Sequence, residues 1–326
     1  LTKVEKAAAA KVTTSIAGLK RVAPAGTDVH AFPASQFPNR FLRLWKLFWS
    51  ARNSDHLIMD FDVAELTALK VLGAVFGRGG GRLTTLDLFI GAPGRKDLWR
   101  VRWAVRSVNR LLIYFRETEA FEKLLDAPAS KFRYIPFKIN GLELIQSMRP
   151  SEDGYIFCGG RSRRDFRTLF EAVKDLPYPV KVVTSDEASM RPHGSTMEGL
   201  TVPPNVEIIL RDSDQPFFLE CMAHATLVVL PLVKDTLTQA GIGVYIQAMA
   251  LRKCVIVSAG LGVRDVLSDE AVMPPPGDAD ALRRAIQTIW ENPVERRAYA
   301  QRGYDYAIRL GGEDDLYKSI FANLPD

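Results

Sequence analysis

The sequence predicts an α/β protein of two domains, each a parallel sheet covered by helices, and three observations carry that expectation. At 326 residues the chain is too long for one ordinary core and long enough for two. Short β-rich apolar runs alternate with stretches of helical periodicity, which is what parallel strands impose because every crossover needs a covering helix. Between two such series lies SMRPSEDG, 147–154, whose linker composition divides the chain into domains 1–150 and 151–326. Hydrophobic residues at 47% and charged residues at 25% exclude a disordered chain.

The second domain reads more clearly. A strand at 155–159 (YIFCG) leads to a helix from Asp165 whose apolar face is Phe166, Leu169, Phe170 and Val173, then to a strand at 180–185 (VKVVTS). Further strands follow at 206–210, 226–231 and 254–258, separated by helices near 214–223 and 240–251. The run PPPGDADALRRAI, 274–286, is a Pro/Gly stop before a helix that buries Leu282, Ala285, Ile286 and Ile289. Helical sequence continues to about Leu310, LGGEDD breaks it, and a last amphipathic segment, 315–323, is expected to return to the first domain.

In the first domain strands are expected at 28–32, 56–61, 82–90, 110–115 and 132–136. Residues 1–22 read as a helix, so this domain opens without the strand that normally comes first. With no initiator Met, that suggests an N-terminal domain truncated upstream, or one that is shorter by nature.

Charge is divided unevenly. Residues 1–150 carry a net +11 and residues 151–326 a net −6. A basic half faces anionic partners such as lipid headgroups or nucleic acid, or the asymmetry is only uneven solvation. The basic half holds no nucleic-acid reader motif, so nucleic acid is not expected as a partner. Cys158, Cys221 and Cys254 lie in apolar runs without metal or redox spacing, which points to a reducing, cytoplasmic setting. His30, His56, His193 and His224 have no ligand spacing, so no metal is expected.

Three stretches carry chemistry. FCGGRSRRDF, 157–166, ends a strand in Gly-Gly and opens a helix, leaving free backbone N–H groups and the positive end of the helix dipole at one place. Arg161, Arg163 and Arg164 add forked donors that match phosphate oxygens, so a diphosphate fits; the alternative is a solvated loop with Asp165 as an ordinary N-cap. In AGIGVYIQAMA, 240–250, Gly241 and Gly243 permit close approach of backbone to phosphate and Gln247 lies one turn on, or the glycines serve helix-to-strand packing. In RFLRLWKLFWSAR, 40–52, basic residues sit beside large aromatics. Arg43, Trp45, Lys46 and Trp49 are the candidates for a membrane-facing helix, against a helix that merely covers its sheet.

Taken in order, GGRSRRDFRTLFEAV, LVVLPL, AGIGVYIQAMALRKCVIVS, GVRDVL and MPPPGDADALRRAI resemble the C-terminal domain of glycosyltransferases of the family 4 type, over about residues 155–290. RLLIYFRETEAFEKLL and KFRYIPFKIN extend the resemblance more weakly toward residue 56. It implies a GT-B fold of two facing Rossmann-like domains, and a nucleotide sugar held in the cleft by the C-terminal domain. By that resemblance Arg161 and Arg164 hold the donor diphosphate, Gly241 and Gly243 present N–H groups to it, and Gln247 touches ribose or sugar. Two glutamates seven apart in the family fall here on Ala240 and Gln247.

The implied activity is metal-independent hexosyl transfer, retaining anomeric configuration, from a nucleotide-diphosphate sugar to a glycan or lipid-linked acceptor, with no other cofactor. Asp87 is the candidate for a polar residue near the reacting carbon, ahead of Asp60 and Asp62. The implied location is cytoplasmic, peripheral at the inner face of the cell membrane. A different reading, motivated by Ala240 and Gln247, is a non-catalytic sugar-nucleotide-binding or scaffold protein on the same fold. A nicotinamide oxidoreductase is disfavoured because no GxGxxG follows a strand.

Overall fold

The computed structural model of the chain describes residues 10–77, 79, 81–86, 95–234 and 240–325, without the side chains of 95–97. The chain divides into two compact units, Leu1–Pro136 with Glu313–Asp326, and Phe137–Gly312. Each is an α/β unit built on one parallel sheet.

In the first unit β1 (Lys11–Thr14), β2 (Asp28–Ala31), β3 (His56–Asp60), β4 (Arg82–Leu86), β5 (Arg110–Ile113) and β6 (Phe132–Tyr134) pair in the order β2-β1-β3-β4-β5-β6. Every pairing is parallel. Here the expected opening helix is corrected: the strand that seemed to be missing is β1, inside the sheet between β2 and β3. The Ala-rich run before it suggested helix, whereas Val12, Thr13 and Thr14 are β-branched and buried, and burial between two neighbours outweighs local propensity. Thr13 Oγ1 is also tied to Ser50 Oγ at 2.7 Å and Ser54 Oγ at 2.8 Å, which joins β1 to the helix Arg40–Ala51.

The last helix, Glu313–Ala322, belongs to this first unit. Asp314 accepts from Arg21 Nε at 2.8 Å, and Arg110 Nη1 donates to the Asn323 carbonyl at 3.0 Å. Gly18 makes room for it, since a Cβ there would lie 2.1 Å from Tyr317 Cε2.

In the second unit β7 (Ile156–Gly159), β8 (Val180–Val183), β9 (Val206–Ile209), β10 (Leu227–Leu230) and β11 (Val255–Val257) pair in the order β11-β10-β7-β8-β9, again all parallel. β7 and β10 are buried along their whole lengths, which explains their unbroken apolar sequence. One core cluster joins Ile156, Val182 and Val229 of the sheet to Phe166, Leu169 and Val173 of the helix Phe166–Val173 and to Leu282, Ile286 and Ile289 of the helix Ala279–Glu291. The stretch 147–154 is fastened into this unit, with Ser151 and Asp153 N–H groups donating to the carbonyls of Ala223 and His224 at 3.0 Å each. Among the described residues no helix is long and apolar enough to cross a membrane.

Candidate functional site

The order of the second sheet locates a site before any side chain is considered. From β7 the chain winds outward through β8 and β9, then returns to the other flank of β7 with β10, so the winding reverses between β7 and β10. In open α/β sheets the loops at the carboxyl ends of two such strands diverge and leave a crevice for a ligand. The loops concerned are 160–165 and the one that follows β10, the two glycine-bearing stretches singled out in the sequence. They are stitched together: Asp165 N donates to the Pro231 carbonyl at 3.0 Å, and Val233 N to the Arg163 carbonyl at 2.9 Å.

The three arginines of the first loop separate into different roles. Arg163 adopts a φ of 54°, and its N–H donates to the His193 carbonyl at 3.0 Å. That left-handed residue turns the chain so that Arg164 points inward. Arg164 is 2% exposed; its N–H donates to Ser195 Oγ at 2.7 Å, Nε to the Gly159 carbonyl at 2.8 Å and Nη1 to the Ser162 carbonyl at 2.8 Å. No carboxylate pairs with it among the described residues. Burial pushes its guanidinium down from the ordinary arginine value, and burial pushes the neighbouring Cys158 thiol up to about 12 against the pull of Arg164. Arg161 is half-buried, and its Nη1 donates to Ser185 Oγ at 3.2 Å, which in turn donates to Asp212 Oδ1 at 2.5 Å. Asp165 caps the helix Phe166–Val173 by accepting from Thr168 N at 3.0 Å, as an ordinary N-cap does.

Two glycines bring the Arg164 guanidinium against backbone. Gly160 has φ 89° and a Cβ there would lie 2.9 Å from Arg164 Nη2; Gly241 has φ 82° and a Cβ there would lie 3.4 Å from Arg164 Nη1. Both need the left-handed region that side chains disfavour. Gly241 is also the N-cap of the helix Ile242–Ala250, so a buried positive charge, a helix N-terminus and two exposed-backbone turns converge. A multiply charged anion is the ligand such a place stabilises.

Gly243 and Gln247 are placed differently from Gly241. A Cβ at Gly243 would come 2.9 Å from Asn140 Nδ2, so close packing explains this glycine. Gln247 is buried, and its Nε2 donates to the Asn140 carbonyl at 3.0 Å. Ala240 is buried as well. Asn140, Ser185, Ser195 and Asp212 are not marked as site residues by their sequence surroundings, because each meets its partner from a distant segment.

In the first unit Asp87 lies outside the described residues. Asp62 is the N-cap of the helix Val63–Phe76, accepting from Glu65 N at 2.9 Å and pairing with Arg40 at 3.0 Å. Of the four residues read as membrane-facing, Trp45, Lys46 and Trp49 are exposed on the helix Arg40–Ala51. Arg43 is corrected: it is 8% exposed, turned inward to an ion pair with Glu65 of the neighbouring helix. Among the described residues no cluster of His, Cys, Asp and Glu is arranged to hold a metal ion.

Residues 148–306 match the sequence profile of the family Glycosyl transferases group 1. No curated protein matches the chain by sequence. Among solved structures, Anabaena Alr3699/HepE in complex with UDP and glucose is similar with TM-score 0.70 at 14% identity, over 96% of this chain and 98% of that one. The sucrose-phosphate synthase of Thermosynechococcus elongatus is similar with TM-score 0.66 at 18% identity, over 92% and 83%. A glycosyltransferase from Rickettsia africae ESF-5 is similar with TM-score 0.66 at 10% identity, over 96% and 97%. At these identities the structural likeness establishes the fold, which is GT-B-like.

Proposed function

We propose that the chain is a metal-independent glycosyltransferase that moves a hexosyl group, with retention, from a nucleotide-diphosphate sugar to a glycan or lipid-linked acceptor. The observation that carries this reading is Arg164: a guanidinium buried without a carboxylate among the described residues, beside Gly160, Gly241 and a helix N-terminus at the switch point of the sheet. The family match and the UDP held by Anabaena HepE make a uridine diphosphate sugar the first donor to test.

In this reaction the bond from the anomeric carbon to the distal phosphate oxygen breaks and the diphosphate leaves with the electron pair. The acceptor oxygen bonds to the anomeric carbon on the same face, and its proton passes to the departing diphosphate. Arg161 and the Gly241 N–H bind the growing negative charge, while Arg164 holds a positive charge beneath it at no cost of reorganisation. Gly243 and Gln247 complete the wall of the nucleotide site, Gln247 offering its amide oxygen to a ribose or sugar hydroxyl. Attachment is peripheral, at the inner face of the cell membrane, through the exposed aromatic and basic side chains of the helix Arg40–Ala51.

A second reading, a sugar-nucleotide-binding protein without turnover, is favoured by Ala240 standing where the family has a glutamate and by the Gln247 amide already engaged with Asn140. Two measurements separate the readings. UDP-glucose and related donors are expected to raise the melting temperature of the wild type, and Arg161→Ala is expected to abolish that shift. An unchanged shift in Arg161→Ala removes this loop from the donor site. Donor binding without UDP release, with any acceptor, favours the scaffold.

A further inference from the structure

Three neighbouring strands of the second unit, β7, β8 and β9, each carry one polar residue in the loop at their carboxyl ends: Arg161, Ser185 and Asp212. That is the end of an open α/β sheet at which ligands bind. The loops are fixed to one another in strand order. Gly160 N donates to the Val183 carbonyl at 3.0 Å, Thr184 Oγ1 to the Gly160 carbonyl at 3.2 Å, and Asp212 N to the Thr184 carbonyl at 3.2 Å. The side chains follow the same order, Arg161 Nη1 donating to Ser185 Oγ at 3.2 Å and Ser185 Oγ to Asp212 Oδ1 at 2.5 Å.

A guanidinium and a carboxylate so close together ordinarily pair directly. Arg211, next to Asp212 in the chain, does so with Asp214 at 2.6 Å while covering the Phe217 ring at 4.0 Å. Arg161 and Asp212 do not. Among the described residues the Arg161 guanidinium makes no hydrogen bond except the one to Ser185, and the Asp212 carboxylate holds only the hydroxyls of Ser185 and Ser213, the second at 3.3 Å. A direct pair would cancel the charge of Arg161, as Glu65 does for Arg43. A hydroxyl placed between them fixes the guanidinium and leaves its charge and its other N–H groups available to an anion.

The hydroxyl can serve in this way only while its own proton is engaged. Serine has one proton and two lone pairs, and an unengaged hydroxyl rotates to suit whichever partner arrives. Ser185 is 8% exposed, and its bond to Asp212 has the short length of a charge-assisted one. That bond leaves a lone pair for Arg161 and strengthens it as an acceptor. Through space the same carboxylate acts in the opposite sense, because a negative charge near a diphosphate repels it. The two actions differ in sign, so the direction of the effect on anion binding decides which governs.

We infer that Asp212 is a positioning residue of the diphosphate site: through Ser185 it holds the Arg161 guanidinium in place for the anion without neutralising it. This role rests on the assignment of Arg161 to the donor diphosphate made above. Calorimetric titration of the full chain with pyrophosphate, and separately with UDP-glucose, tests it. Asp212→Ala is expected to weaken both by about tenfold, what one hydrogen bond to a charged group is worth. Asp212→Asn, whose amide oxygen still accepts from Ser185, is expected to restore most of that affinity. Ser185→Ala is expected to lose as much as Asp212→Ala, and Ser185→Ala/Asp212→Ala no more than either, because a residue acting through Ser185 has no effect once the hydroxyl is gone.

Tighter or equal anion binding in Asp212→Ala overturns the inference, the first outcome showing that repulsion through space governs. A loss in Asp212→Asn as large as in Asp212→Ala overturns it as well, and so does a loss from Asp212→Ala that persists in the Ser185→Ala background. Ser185→Ala and Asp212→Asn change little volume and carry the test alone if Asp212→Ala fails to fold by circular dichroism. Failure of the donor reading looks different, because it lies in the wild type: pyrophosphate bound without UDP-glucose overturns that reading and leaves the Asp212 comparison to be read with pyrophosphate, whereas a wild type that binds neither overturns both.

Discussion

In the first unit Arg43 is buried against Glu65, and in the second Arg164 is buried against the carbonyl oxygens of Gly159 and Ser162. Both lie in stretches that the sequence marks by their arginines, and both are withdrawn from solvent. Removing a charge from water costs several kcal/mol, and Glu65 offsets that for Arg43 with an opposite charge on the adjacent helix. Neutral carbonyls satisfy the hydrogen-bonding groups of Arg164 but leave its charge in place. A buried cation whose charge is cancelled is part of the scaffold, and one whose charge persists at a crevice is a place for an anion.

The largest effect that can break this comparison is in the pair. Arg43→Met leaves the buried Glu65 carboxylate with the exposed Arg40, whose Nε lies 3.4 Å away, and is expected to destabilise the protein by about 3 kcal/mol in urea unfolding, whereas Arg43→Met/Glu65→Leu is expected to recover most of that loss. Donor affinity is expected to be unchanged in the double variant. Arg164→Met is expected to do the reverse in kind. Donor affinity falls by about a hundredfold, because a buried charge-assisted contact is worth about 2–5 kcal/mol to its partner. Equal affinity in Arg164→Met and wild type, measured by calorimetric titration of UDP-glucose, would make Arg164 a scaffold residue like Arg43.

The same pair of arginines shows how far the sequence can be read. The strands of the second unit are legible because β7 and β10 are buried throughout and carry no polar interruption. β1 is not, because an Ala-rich run precedes it and its burial depends on β3, more than forty residues away. Periodicity puts Phe41, Leu44, Trp45, Phe48 and Trp49 on one helical face, yet the buried set is Arg43, Leu44, Leu47, Phe48 and Ala51. Glu65 rotates that choice, and it lies on another element. Within the arginine loop, spacing alone cannot rank Arg161 and Arg164, since the left-handed turn at Arg163 decides which of them faces inward. Gly241 and Gly243 look alike in sequence; one serves a positive φ beside Arg164 and the other the close approach of Asn140.

Lys253 sharpens the comparison with a third buried cation, one that can discard its proton. The residue is 4% exposed, its ammonium donates to the carbonyls of Ser151 and Ala225 at 2.5 and 2.9 Å, and burial pushes it down to about 8, with Glu152 and Asp153 acting against that fall. Between pH 8 and about 10.5 the unfolded chain keeps a proton there that the folded chain has released, so stability rises with pH across this window and the contribution is flat below it. The rise is expected to reach about 3 kcal/mol, at about 1.4 kcal/mol for each unit by which the folded value lies below the unfolded one. Cys158 and Cys254, both pushed up to about 12 by burial, act in the opposite sense once unfolded thiols ionise near pH 9. Urea unfolding of the wild type and of Lys253→Met at matched pH values isolates the lysine, because the thiols are common to both. The stability difference should widen in favour of the wild type from pH 8 to 10.5, and parallel profiles would mean that Lys253 keeps its proton. Arg164 has no such escape, because a guanidinium stays charged throughout this range.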